Sequence, residues 1–142
     1  MNGGKLAAVT TQKITASGRL PEVCEGLRPL LTTHGFTLSR RVFRRVAETG
    51  LVQVISLGAG QNWSMYHGKF TVDVGIYIDE VFRGVYHWRD PPRIVMPGDC
   101  EITRRLPAFQ PGVEDYWWEL DWPVPTVCRQ IGNLLTLYGI PF

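Results

Sequence analysis

FTVDVGIYI, residues 70–78, decides the fold. Phe70, Val72, Val74, Ile76 and Ile78 alternate with Thr71, Asp73, Gly75 and Tyr77, and a period of two is the mark of a strand whose successive side chains point to opposite faces. The Phe70 set is wholly apolar and needs a core. Upstream, Arg41 to Ala47 and Leu51 to Leu57 flank Glu48-Thr49-Gly50, which predicts a hairpin with Gly50 supplying the positive φ. Further back, Leu20, Val23, Cys24, Leu27, Leu30, Leu31 and His34 follow helical spacing, and Gly35 can end that helix. Pro21 suits a first turn, whereas Pro29 removes the bond to the Glu25 carbonyl and predicts a kink or a tightened last turn.

Downstream, the chain from Asp79 to Asp99 carries Pro91, Pro92 and Pro97 among Phe82, Tyr86 and Trp88, which predicts a long, partly structured excursion. A short segment from Cys100 to Leu106 and a turn region from Pro107 to Gly112 follow. From Asp115, alternation places Tyr116, Trp118, Leu120 and Trp122 on one strand face and Asp115, Trp117, Glu119 and Asp121 on the other. Val127, Ile131, Leu134, Leu135 and Tyr138 then make the stripe of a closing helix from about Val124 to Tyr138, with Pro125 near its start and Gly139 and Pro141 at its end. Helix, antiparallel strands and helix in that order predict an α+β fold. Its antiparallel sheet has about five strands, with N-terminal and C-terminal helices packed on one face. The other face is the expected functional surface. Residues 1–18, small and polar, are expected to form a flexible or weakly helical arm, and residues 19–142 a single domain.

The chain has 142 residues, 44% of them apolar, and 15 basic against 13 acidic side chains give a net charge of +2. That balance excludes nucleic-acid or membrane attraction through global charge, so any electrostatic function must be local. Cys24, Cys100 and Cys128 are odd in number and widely spaced, which reads as reduced thiols and a cytoplasmic location. No apolar run reaches signal-peptide or membrane-spanning length. The sequon at Asn62 to Ser64 has no export signal to give it meaning.

The pieces HGF (34–36), FRR (43–45), LVQVISL (51–57), VDVGIYI (72–78), CEITRRL (100–106) and YWWEL (116–120) arrive in one order. Together they resemble a bacterial domain family catalogued as a domain of unknown function, number 4304. That family reads as a helix ending in G-F, then F-x-R, L-x-Q-V, a strand ending in G-x-Y, C-x-I-x-x-R-L and W-W-x-L. The resemblance covers Leu20 to Leu137 and implies a fold and a bacterial setting, with no reaction, cofactor or catalytic residue to carry over. Gly58-Ala59-Gly60 and the excursion from Phe82 to Met96 depart from its pattern.

No residue set spells out a reaction. Asp115 and Glu119 would lie roughly 13 Å apart along a strand, beyond the about 5 to 9.5 Å of a glycosidase pair. Their simplest use is cross-strand ion pairing with Arg41, Arg45 or Arg104. His34, His67 and His87 lack metal-ligand spacing, so neither metal nor cofactor is expected. Gly58 to Asn62 lacks the third glycine and following helix of a nucleotide loop. An enzyme built from Cys100, His67 or His87, and Glu119 or Asp121 is one alternative reading. Single-stranded nucleic acid held by the Arg40 to Arg45 ribbon is another, although alternation splits that charge between Arg41, Phe43 and Arg45 on one face and Val42, Arg44 and Val46 on the other.

The leading expectation is a non-enzymatic domain that binds another protein. Tyr, Trp and Arg dominate interface hot spots, and the residues expected to serve are Arg41, Arg45, Trp63, Tyr66, Phe82, Tyr86, Trp88, Asp115, Trp117, Glu119 and Asp121. In a bacterial setting the specific expectation is an immunity protein whose partner is a cognate toxin.

Overall fold

The computed structural model describes residues 16–48, 50–59, 68–112 and 117–142. The first apolar stripe forms helix α1, Ala16–Thr33, with Leu20, Val23, Cys24, Leu27 and Leu31 buried. The helix starts ahead of the expected Leu20 because Arg19 ties its first turn down: Nε donates to the Leu120 carbonyl at 3.0 Å and Nη2 to the Trp122 carbonyl at 2.9 Å. Residues 16–18 of the expected arm therefore belong to α1, and the rest of it lies outside the described residues. Pro29 sits within the helix, and the chain tightens at its end, where the His34 amide donates to the Leu31 carbonyl at 3.1 Å. Gly35, at φ 88°, donates to the Thr32 carbonyl and Phe36 to the Leu31 carbonyl, both at 3.0 Å, which is a glycine-dependent left-handed cap.

The strands are β1 (Thr37–Ser39), β2 (Val42–Glu48), β3 (Leu51–Ala59), β4 (Lys69–Ile78), β5 (Ile102–Arg105) and β6 (Trp118–Glu119). They run in the order β1-β2-β3-β4-β5, every pairing antiparallel, and β6 pairs with β4 at Lys69 and Phe70. Arg41 is not in the strand expected for it: β2 begins at Val42, and Arg40 and Arg41 form the two-residue turn from β1, at φ 55° and 64°. The final strand is also shorter than alternation implied. Leu120 donates to the Gly68 carbonyl at 2.9 Å and Trp122 to the Glu119 carbonyl at 3.3 Å, so the chain turns. Trp118 and Leu120 stay buried while Trp122, expected in the core, is 42% exposed.

One face of the sheet meets α1 and the closing helix α3, Val124–Leu134, which continues as a wider turn over Leu135–Gly139. Phe43, Ile55, Leu57, Phe70, Val72 and Val74 pack there against Leu27, Leu31, Val127, Ile131 and Leu135, with Trp118 and Leu106 closing the core. Gly26 permits the approach of the helices, since a Cβ there would lie 2.4 Å from Cys128 Sγ.

The opposite face, the expected functional surface, is partly covered by the excursion. The excursion after β4 opens with helix α2, Asp79–Val85. Its Phe82 sits in a second core with Val42, Val54, Tyr77 and Val95, edged by Val52, Tyr86 and Cys100. The Phe82 ring lies 5.6 Å from Tyr77 and 5.0 Å from Tyr86, centre to centre. Asp79 caps the arrangement, its carboxylate accepting from Tyr77 Oη at 2.9 Å and Arg83 Nε at 2.7 Å.

Candidate functional site

The sequence pieces that carry the family pattern meet each other inside the fold. Arg45 and Gln53 face one another across β2 and β3, and the guanidinium gives Nη2 to Gln53 Oε1. The same guanidinium donates to the Ile140 carbonyl at 2.8 Å and the His34 carbonyl at 2.9 Å, and it lies 4.5 Å over the Phe36 ring. Gln53 Nε2 in turn donates to the Gly139 and Ile140 carbonyls at 2.8 and 3.0 Å. HGF, F-x-R and L-x-Q thus form one clamp on the last turn. That turn is wide, closed by the Ile140 amide donating to the Leu135 carbonyl at 2.7 Å, and these side chains satisfy carbonyls that a helix end would otherwise leave to water.

The remaining pieces behave likewise. A Cβ at Gly75 would lie 2.8 Å from Cys100 Sγ, so G-x-Y and C-x-I make a close fit. Arg105 lies 5.0 Å over Trp117, and Trp118 Nε1 donates to Gln130 Oε1 at 3.1 Å. These residues hold the fold together. A site that reads other molecules has to lie on groups the framework leaves over.

The strongest candidate is the outward side of the excursion and the hollow beneath its last strap. Arg44 staples that strap to β2, donating Nε to the Val95 carbonyl and Nη2 to Met96 Sδ at 3.0 Å. Burial and the charge of Arg40 both lower the pKa of Arg44. Between strap and sheet is an open hollow of about 510 Å³, lined by Thr37, Arg44, Val46, Val52, Arg93 and Ile94 among others. Val46 is 69% and Ile94 58% exposed. On α2, Val81 and Val85 fall at i and i+4 on one side of the helix, and Val85 is 50% exposed. Trp88 is 67% exposed, its ring braced edge-on by Tyr86 at 5.7 Å and His87 at 5.1 Å.

The residues expected to bind a partner are distributed unevenly. Trp88 is on this surface, Tyr86 is half-buried behind it, and Phe82 is enclosed. Arg41 stands exposed at the β1–β2 turn, and Arg45 is occupied by the clamp. Trp117 is half-buried under Arg105. Glu119 pairs with Lys69 at 3.3 Å, a cross-strand ion pair whose cation is this lysine in place of the arginines expected. Asp121 is exposed in the turn after β6. Trp63, Tyr66, His67 and Asp115 lie outside the described residues. Val46, Val52, Arg93 and Ile94 were not singled out from sequence. The alternation that set Val42, Arg44 and Val46 together on the face away from Phe43 was the available signal.

The Cys100 thiol sits against Gly75 and points toward the Met96 carbonyl at 3.8 Å. Burial, with Asp99 and Glu101 adding, pushes it up to about 11. A thiol held neutral is in the wrong state to attack. Among the described residues no three of His, Cys, Asp and Glu come together to hold a metal ion, and no helix is long and apolar enough to cross a membrane.

A six-stranded antiparallel sheet with terminal helices on one face and a helical excursion on the other defines an α+β domain. Residues 27–142 match the model of one protein family, and the chain belongs to that family, described as a domain of unknown function (DUF4304). Neither curated proteins nor solved structures yield a match.

Proposed function

We propose that this is a non-enzymatic, cytoplasmic protein-binding domain that docks its partner on the outer side of the 79–99 excursion and over the adjoining hollow. The observation that supports it is the two-sidedness of that segment. Its inner side buries Phe82 and Val95 as a core, while Val85, Trp88, Ile94 and Arg93 stay exposed to water. Aromatic and aliphatic anchors with a neighbouring arginine are the composition of an interface centre. Several carboxylates are meanwhile engaged in local pairs, Glu25 with Arg28, Asp79 with Arg83 and Glu119 with Lys69.

In its specific form the proposal is a bacterial immunity protein whose partner is a toxin. Co-expression with the product of the adjacent gene tests it. Copurification and protection of cells from that product are expected, both lost in Trp88→Ala and Ile94→Asp variants that still unfold cooperatively. Absence of both binding and protection with the unaltered chain refutes the immunity role. Binding unaffected by either substitution refutes the placement of the surface.

A further inference from the structure

Among the described residues, the turn between β1 and β2 holds the two non-glycine residues with positive φ. Ser39 pairs with Val42 across it, and both central residues are left-handed, Arg40 at φ 55° and Arg41 at 64°. A two-residue turn of this hand suits Asn-Gly or Gly-Gly, because a Cβ at such φ crowds the following carbonyl. Two arginines hold it against that preference. Strain of this kind concentrates where side chains must be aimed.

The one acid among the described residues that lines the neighbouring hollow is already paired elsewhere. Among the described residues neither Arg40 nor Arg41 forms an ion pair. The turn and α1 enclose an open hollow of about 300 Å³ lined by both arginines, Ser39, Arg28, Glu25 and Cys24 among others. Glu25, the acid lining it, is already engaged by Arg28 at 3.0 Å. Arg44 lies on the other flank with its guanidinium turned to the Val95, Ser39 and Val42 carbonyls. Cations are thus collected at one end of a chain whose overall balance is only +2.

We propose that the Arg40–Arg41 turn is a recognition site for an acidic peptide segment, a run of carboxylates taken by the two guanidinium forks. Arginine matches carboxylate geometry with paired hydrogen bonds, and two adjacent arginines on a fixed turn present two such forks. Single-stranded nucleic acid offers phosphates to the same forks, but its binders also stack bases on aromatic rings, and among the described residues no aromatic lines this hollow. The site is carried by backbone strain and unspent charge, so it stands or falls separately from the docking surface around Trp88.

The test uses the full chain and hexaglutamate, followed by backbone-amide NMR. The peptide should shift amides of residues 38–42 and of the facing part of α1, with affinity dropping about tenfold between low and high salt, as screening requires. The variant Arg40→Asn, Arg41→Gly supplies the turn's preferred residues while removing both cations. It should unfold at higher denaturant than the parent and bind hexaglutamate at least about tenfold more weakly, so loss of binding cannot be loss of fold. Trp88→Ala should leave hexaglutamate affinity unchanged. No shift with hexaglutamate, or equal affinity in the turn variant, overturns the proposal. Tighter binding of a six-nucleotide single strand than of hexaglutamate overturns the peptide assignment.

Discussion

Replacing Arg45 with alanine should destabilise the fold by about 3 kcal/mol, a large part of a typical domain's stability. The two inward bonds, to Gln53 Oε1 and to the Ile140 carbonyl at 2.8 Å, carry most of this. Hydrogen bonds to a charged donor contribute about 1.5 to 3 kcal/mol each, and the low end applies because Arg45 is only part-buried. The bond to the His34 carbonyl at 2.9 Å faces solvent and is discounted. The guanidinium over Phe36 at 4.5 Å adds about 0.5 to 1 kcal/mol, roughly offset by water reaching the freed acceptors. Gln53→Ala should cost about 1 to 2 kcal/mol, since its amide alone links β3 to the Gly139 and Ile140 carbonyls. The two residues share partners, so the double variant should lose about 1 kcal/mol less than the sum. Arg45→Lys should recover at most half, because one ammonium cannot span acceptors on two elements with fixed fork geometry. Urea unfolding at constant slope measures all four variants. A loss below about 1 kcal/mol for Arg45→Ala, or strict additivity with Gln53→Ala, would refute the clamp.

Gly75→Ala should cost about 1 to 3 kcal/mol through overpacking against Cys100, and Gly75→Ala with Cys100→Ala should recover part of it; equal unfolding midpoints for parent and Gly75→Ala would contradict the close fit. Burial, then the bond to Asp79, pushes Tyr77 up to about 12 from its usual 10. The folded state therefore keeps a proton that the unfolded chain has lost above pH 10, so stability is full below about pH 10 and falls as pH rises toward 12. Tyr77→Phe should flatten that fall, and an unchanged alkaline profile would argue against it. Burial likewise pushes the Cys24 thiol, as well as Cys100, up to about 11. Both should react slowly with a disulfide reagent at mild pH and quickly once unfolded; fast labelling of the native chain would mean that the core around them opens readily.

Where periodicity alone sets structure, the sequence is readable. β4 and the stripes of α1 and α3 lie where alternation and helical spacing put them, because burial of one apolar set fixes their rotation, save that His34, expected to continue the first stripe, is exposed in the turn after α1 ends at Thr33. The Arg40–Arg41 turn was not readable, since it lacks the glycine or asparagine that ordinarily signals left-handed φ. The clamp was legible only in fragments: Arg45, Gln53, His34 and Ile140 are scattered along the chain, and strand register brings them together. The aromatics of the excursion failed for a different reason. Phe82, Tyr86 and Trp88 are spaced so that side chains on a short helix and the turn after it sort into enclosed, half-buried and exposed, and only the position of α2 on the sheet decides which is which. The reach of the last strand failed similarly, because Gly68 and Pro123 divert the chain after Leu120.

The arginines show why framework and binding surface separate in this chain. Arg19, Arg44 and Arg45 give their donors to backbone carbonyls of distant segments. Arg89 and Arg104 lie over Phe82, Tyr86 and Phe109, within 4.9 to 5.6 Å. Recruiting any of these for a partner would break bonds the fold already uses, so their net gain on binding would be small. Arg40, Arg41 and Arg93 carry no such commitment among the described residues, and the interaction they make with an incoming carboxylate is offset only by desolvation. These three flank Arg44 from two directions, Arg40 and Arg41 at the turn and Arg93 on the strap that Arg44 holds down. Arg44 is thereby a positioning residue: Arg44→Met should free the strap and weaken binding at the Trp88 surface while leaving the hexaglutamate affinity of the turn nearly intact, and equal losses at both places would show that the two surfaces act as one.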